Sequence, residues 1–119
     1  MYTIKMKHIK SLDEYYKVIT TEPRSIIIYS SIKTCHPCRL LKKWIEEEHS
    51  QLSIFDIDVL DPQFEDITND IDCLPTSVLH YYTEEQKRIE GFNKTDLLDM
   101  FKKLTHDAPS TPAPITIIE

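Results

Sequence analysis

The chain has 119 residues, 40% of them hydrophobic, with a formal net charge of −6, one glycine and three cysteines. This length suits a single domain around one core, and the negative charge argues against a nucleic-acid backbone as partner. No apolar run approaches the roughly 18 residues needed to cross a bilayer, one glycine leaves no Gly-rich phosphate loop, and three cysteines do not make a structural disulfide framework. Met1 to Lys7 is not followed by an apolar signal core, so a reducing, cytoplasmic setting is expected.

Taken in order, Thr3 to Ile9 reads as a short first strand. Ser11-Leu12-Asp13-Glu14 is a capping box. Leu12, Tyr15, Tyr16 and Ile19 follow it as the stripe of an amphipathic helix that Pro23 closes. Ser25 to Ser30 is apolar without alternation, as in a central strand covered on both faces. Cys35 opens a helix running to about Ser50, with Leu40, Leu41, Trp44 and Ile45 as its inner face and Glu46 to Glu48 as a solvated end. Leu52 to Val59 is the next strand, and Asp61-Pro62 caps a short helix carrying Phe64 and Ile67. Ser77 to Tyr82 is a strand, Thr83 to Gln86 a polar turn, and Lys87 to Glu90 the antiparallel partner. Asn93 and Asp96 cap a last helix whose buried face is Leu97, Leu98, Phe101 and Leu104. Residues 1–105 form the domain, and 106–119 a proline-rich tail that can extend about 45 Å and ends in an apolar tip, Ile115 to Ile118.

Cys35-His36-Pro37-Cys38 stands where the central strand gives way to a helix. A Cys-x-x-Cys in that place is suited to dithiol–disulfide exchange. Cys35 sits at or before the helix N-terminus, where unpaired amides and the helix dipole favour a thiolate. It is the expected nucleophile. Cys38, one turn on, is the resolving thiol, because a three-residue spacing brings both sulfurs to one helix face. His36, when protonated, adds positive charge beside Cys35, and Pro37 stiffens the first turn. A zinc site is the competing reading. It needs Cys35, Cys38, Cys73 and a histidine to converge, although no second Cys-x-x-Cys is present. Trp44 reads as core, His80 as a satisfied histidine within a strand, and Cys73 either as a small half-exposed residue or as an extra regulatory thiol.

Over residues 3 to 105 the chain resembles the thioredoxin family. The resemblance rests on the strand–Cys35-His36-Pro37-Cys38–helix unit, on Leu74-Pro75-Thr76 before a strand, on Gly91-Phe92 after the last strand, and on the closing amphipathic helix. It implies an α/β thioredoxin fold with a mixed five-stranded sheet in the order 1-3-2-4-5, flanked by helices on both faces. It also implies a cis Pro75 against the disulfide, and a substrate groove of Thr34, Leu74, Thr76, Gly91 and Phe92. The activity implied is protein-disulfide reduction through a redox-active Cys35–Cys38 pair, with no bound cofactor or metal. Disulfide-containing proteins would be the substrates, a flavin-dependent thioredoxin reductase would recharge the pair, and no membrane or nucleic acid would be involved. A monomer is expected, with the tail or Cys73 as routes to self-association. Three positions depart from the family pattern: Thr34 replaces a tryptophan, His36 a glycine, and Tyr29 the buried aspartate six residues before the first cysteine. These departures keep open a disulfide oxidase or isomerase, and the tail keeps open a non-enzymatic docking module.

Overall fold

A computed structural model describes residues 6–31, 33–49 and 52–106. Expectations for residues 3–5 and for the tail beyond residue 106 lie outside them. The element order is β1 (Lys7–His8), α1 (Leu12–Thr21), β2 (Arg24–Ser30), α2 (His36–Glu48), β3 (Ile54–Asp58), a 3₁₀ turn (Pro62–Phe64) running into α3 (Glu65–Thr68), β4 (Thr76–Tyr81), β5 (Glu84–Glu90) and α4 (Lys94–His106). One sheet takes the order β1-β3-β2-β4-β5. β3 lies parallel to both β1 and β2, whereas β4 pairs antiparallel with β2 and β5. This is the mixed 1-3-2-4-5 sheet of a thioredoxin fold.

β2 lies at the centre because its side chains suit no exposed place. From Ser25 to Ser30 every residue is buried. Strand alternation divides them between two layers. Ile26 and Ile28 pack with Leu41, Trp44 and Ile45 of α2 and with Leu97, Met100 and Phe101 of α4. Ile27 and Tyr29 pack with Tyr15, Val18 and Ile19 of α1 and with Phe64. Each fully buried isoleucine stabilises the fold by roughly 1.5–3 kcal/mol relative to exposure.

The helix starts follow the side chains that cap them. Ser11 Oγ accepts from the Glu14 amide at 3.1 Å, while Glu14 reaches back to the Lys10 amide at 2.7 Å, which completes the capping box. Asn93 Oδ1 accepts from the Asp96 amide at 3.1 Å.

Several details correct the sequence expectations. Leu40 is 44% exposed and Tyr16 50% exposed, while Cys38 and Val18 take the inward places. On α4, Leu97, Phe101 and Leu104 face the core as expected, whereas Leu98 is exposed and Met100 is fully buried in its stead. The β4–β5 turn is only Tyr82-Thr83, so Glu84 to Gln86 belong to β5. They tolerate that place because β5 is the sheet's edge, where charged side chains face water. Tyr82 turns the chain with φ of 50°, and its amide donates to Pro23 O at 2.9 Å.

Candidate active site

β2 delivers the chain from the centre of the sheet directly into the cysteine motif. The Cys35 amide donates to Ser31 O at 2.9 Å, and the Ser31 and Thr34 hydroxyls are bonded at 2.7 Å. Thr34 is exposed, with its hydroxyl committed to Ser31. Cys35 is the N-cap of α2, in extended conformation, and its Sγ accepts from the Cys38 amide at 3.2 Å. The sulfur therefore takes the place usually held by a serine or aspartate oxygen, among the orphan amides of the helix start. His36 and Pro37 fill the first two helical positions, both exposed. A proline there loses nothing, since its missing amide would have had no intrahelical partner.

Cys35 and Cys38 are joined in a disulfide, with Cα atoms 5.2 Å apart. Their environments differ. Cys35 is half-buried, whereas Cys38 is 2% exposed in the α2 core face. Cys35 is the more accessible of the two residues.

The second segment reaches the same end of the sheet through strand pairing. Thr76 opens β4 opposite Tyr29, one residue before the end of β2. The Leu74–Pro75 peptide bond just ahead of it is cis, and the Gly91 amide donates to Pro75 O at 2.7 Å. Gly91 has φ of +85°, while a Cβ there would meet nothing within 4 Å. Backbone conformation rather than space therefore calls for glycine. Phe92 follows, half-buried against Trp44 at 5.6 Å between ring centroids. Thr34, Leu74, Gly91 and Phe92 are thus brought to the end of the sheet that carries the disulfide. Thr76 is not available in the same way. Its side chain is fully buried, with Oγ1 donating to Cys73 O at 2.5 Å, so it braces the cis segment from inside. Cys73 is a free, half-exposed thiol in that loop.

Tyr29 occupies the strand position six before Cys35. Burial, followed by the neighbouring Tyr15, pushes its hydroxyl far above the ordinary tyrosine range. It stays protonated at neutral pH and is no base. Sequence reasoning missed a different buried acid, Asp56 on β3, which is 5% exposed. Its Oδ1 lies 2.5 Å from His8 Nδ1. Burial raises its pKa, opposed by His8 and Lys42. With Ser30, Lys33 and Asp58 it lines a cleft of about 330 Å³ beside the loop that leads to Cys35. The signal was present in Ile54-Phe55-Asp56-Ile57, where an acid interrupts an otherwise apolar strand.

His80 also differs from expectation. It is buried in β4 as foreseen, but among the described residues neither ring nitrogen has a hydrogen-bond partner. Burial holds its pKa below the usual imidazole value. Among the described residues, no group of three or more His, Cys, Asp or Glu side chains is placed to hold a metal ion.

A disulfide-bonded Cys-x-x-Cys capping a helix at the end of a central strand, on this sheet, defines a thiol–disulfide oxidoreductase with a thioredoxin fold. The comparisons agree, and the chain is thioredoxin-like. It is 28% identical over 103 residues to the Dictyostelium discoideum protein "Putative thioredoxin-5", covering 82% of this chain and 97% of that one. A mutant of Entamoeba histolytica thioredoxin superposes with a TM-score of 0.69 at 28% identity, covering 82% of this chain and 98% of that one. Thioredoxin from Trypanosoma brucei brucei superposes with a TM-score of 0.74 at 12% identity, covering 89% and 96% of the two chains, which speaks for the fold alone. No family model matches the chain.

Proposed function

We propose that this protein reduces disulfides in other proteins, with Cys35 as nucleophile and Cys38 as resolving thiol. The observation that carries the assignment is the difference in exposure between two thiols one helical turn apart, with the more exposed one at the helix N-cap. In the dithiol form, the Cys35 thiolate attacks one sulfur of a substrate disulfide, and the other substrate sulfur leaves as a thiolate. Cys38, deprotonated, then attacks Cys35 Sγ, forms the intramolecular disulfide and expels the second substrate thiol. Two electrons and two protons pass in total from the dithiol to the substrate. The helix dipole and the Cys38 amide favour the Cys35 thiolate, by about 0.3–2 kcal/mol for the dipole. His36, exposed beside it, adds to this when protonated. Leu74, Pro75, Gly91 and Phe92 flank the pair as the docking surface for an extended substrate segment.

This reading places the protein in a reducing, cytoplasmic compartment as an electron carrier recharged by a flavin-dependent reductase. It acts as a monomer, and the charged edge of β5 supports this by discouraging edge-to-edge pairing. Insulin-disulfide reduction driven by dithiothreitol tests the assignment. The wild type accelerates it, and Cys35→Ser and Cys38→Ser both abolish the acceleration. Activity surviving in Cys35→Ser would refute the nucleophile.

His36 supports a second reading, a disulfide oxidase or isomerase on the same site. The reduction potential separates the two, since about 30 mV corresponds to 1.4 kcal/mol for this couple. A couple more reducing than glutathione supports the reductase, and one far more oxidising supports the alternative.

A further inference from the structure

At the end of the sheet away from the cysteines, three cations converge. Arg24 opens β2 opposite Tyr81 at the end of β4, and Lys87 of β5 stands opposite Leu79. Each lies two residues from a member of the α2–α4 layer, namely Ile26, Leu79 and Ile89, so alternation turns Arg24, Tyr81 and Lys87 to that same face. Lys103 reaches it from α4. With Gln86 these side chains line a cleft of about 400 Å³. No carboxylate lines it among the described residues. The Arg24 guanidinium lies over the Tyr81 ring at 5.4 Å. Otherwise Arg24, Lys87 and Lys103 have no side-chain partner among the described residues.

This is a distinctive arrangement in a chain with 20 acidic and 14 basic residues. Like charges repel, and carboxylates are plentiful. Arg88 on the opposite face of β5 shows the usual solution, paired with both Glu85 and Asp70. Among the described residues, the cleft's cations have no such carboxylate partner. An arginine fork offers paired donors to a phosphate, and the two lysines add point charges for further oxygens. The volume suits a small molecule. We propose that this cleft binds a small anion carrying two or more phosphate groups. β2 separates it from the disulfide end by roughly 20 Å, so the site stands apart from the exchange chemistry.

The test is titration of the full-length oxidised protein with tripolyphosphate at matched ionic strength, followed by calorimetry and by amide chemical shifts. The expected result is saturable one-to-one binding, with shifts concentrated around Arg24, Tyr81, Lys87 and Lys103. R24Q/K87Q/K103Q weakens binding by more than about tenfold, while the control K10Q/K17Q/K43Q leaves it within about twofold. Insulin reduction by R24Q/K87Q/K103Q remains at the wild-type rate, which separates this site from the cysteine assignment. Absence of saturation, shifts spread over other surfaces, or equal losses in the two triple variants would overturn the proposal. The shift map on the wild type decides the matter even if a variant folds poorly.

Discussion

Two thiols of the same chemistry are given different surroundings by one turn of helix. Cys35 gains the N-cap, its exposure and the donated Cys38 amide, while Cys38 is packed into the core. Two other buried side chains, both titratable, carry testable consequences. His80 is buried with both ring nitrogens unpartnered among the described residues, at a cost of about 1–3 kcal/mol for an unsatisfied group. Its folded pKa is lowered by burial, with Glu85 opposing and Arg88 reinforcing the shift. The folded state therefore resists protonation, and stability is lost as pH falls below the ordinary value of 6.5. His80→Leu is expected to raise stability by about 1–3 kcal/mol, with a gain that grows between pH 6.5 and pH 5 in urea unfolding. A gain that shrank on acidification would contradict this. Asp56 has the opposite sign. Its folded pKa is raised above 3.8, so its contribution is present below that value and is lost as pH rises through the folded pKa. Relative to wild type, Asp56→Asn should gain stability with rising pH in that window. His8, Lys42 and Asp58 are the charges that bear on it.

The phase of α2 fixes what the motif can do, because the helix must bury Cys38 while leaving Cys35 near the surface. Cys38, Leu41 and Ile45 share one buried face at spacings of three and four. Adjacent Leu40 lies outside it. Leu41→Ala should cost about 2–5 kcal/mol, and Leu40→Ala less than about 0.5 kcal/mol, as read from denaturation midpoints. Equal costs would mean a different helical phase. The sequence signalled α2, its cap and the cysteine junction clearly, because Ser25 to Ile28 and Leu41 to Ile45 carry strong local patterns. It did not separate Leu40 from Leu41, since two adjacent leucines both fit an apolar stripe until the sheet selects one. β5 was half hidden for a related reason. An edge strand needs little apolar alternation, so Glu84 to Gln86 look like a turn although Glu84 and Glu85 pair with β4 and Gln86 sits at the register shift between Leu79 and His80. Asp56 and His8 are 48 residues apart, and no local pattern announces a contact made only when β1 and β3 come together.

Across the whole molecule, strand order does the assembling. The order β1-β3-β2-β4-β5 puts the motif at the end of the central strand and brings the cis Pro75 segment beside it from β4. Gly91 and Phe92 arrive from β5 through the bond to Pro75 O. Pro75 and Gly91, 40 and 56 residues beyond Cys35 in sequence, are therefore brought to the end of the sheet that carries the disulfide, and the departures at Thr34, His36 and Tyr29 are accommodated without disturbing that arrangement. The central claim is that Cys35 makes the covalent attack and Cys38 completes it. Its most direct test is intact-protein mass spectrometry of reduced Cys38→Ser and Cys35→Ser after exposure to a peptide disulfide. Cys38→Ser should accumulate a stable mixed disulfide, mapped by digestion to Cys35, while Cys35→Ser should remain largely unmodified. An adduct forming on Cys38 of Cys35→Ser as readily as on Cys35 of Cys38→Ser would contradict the account.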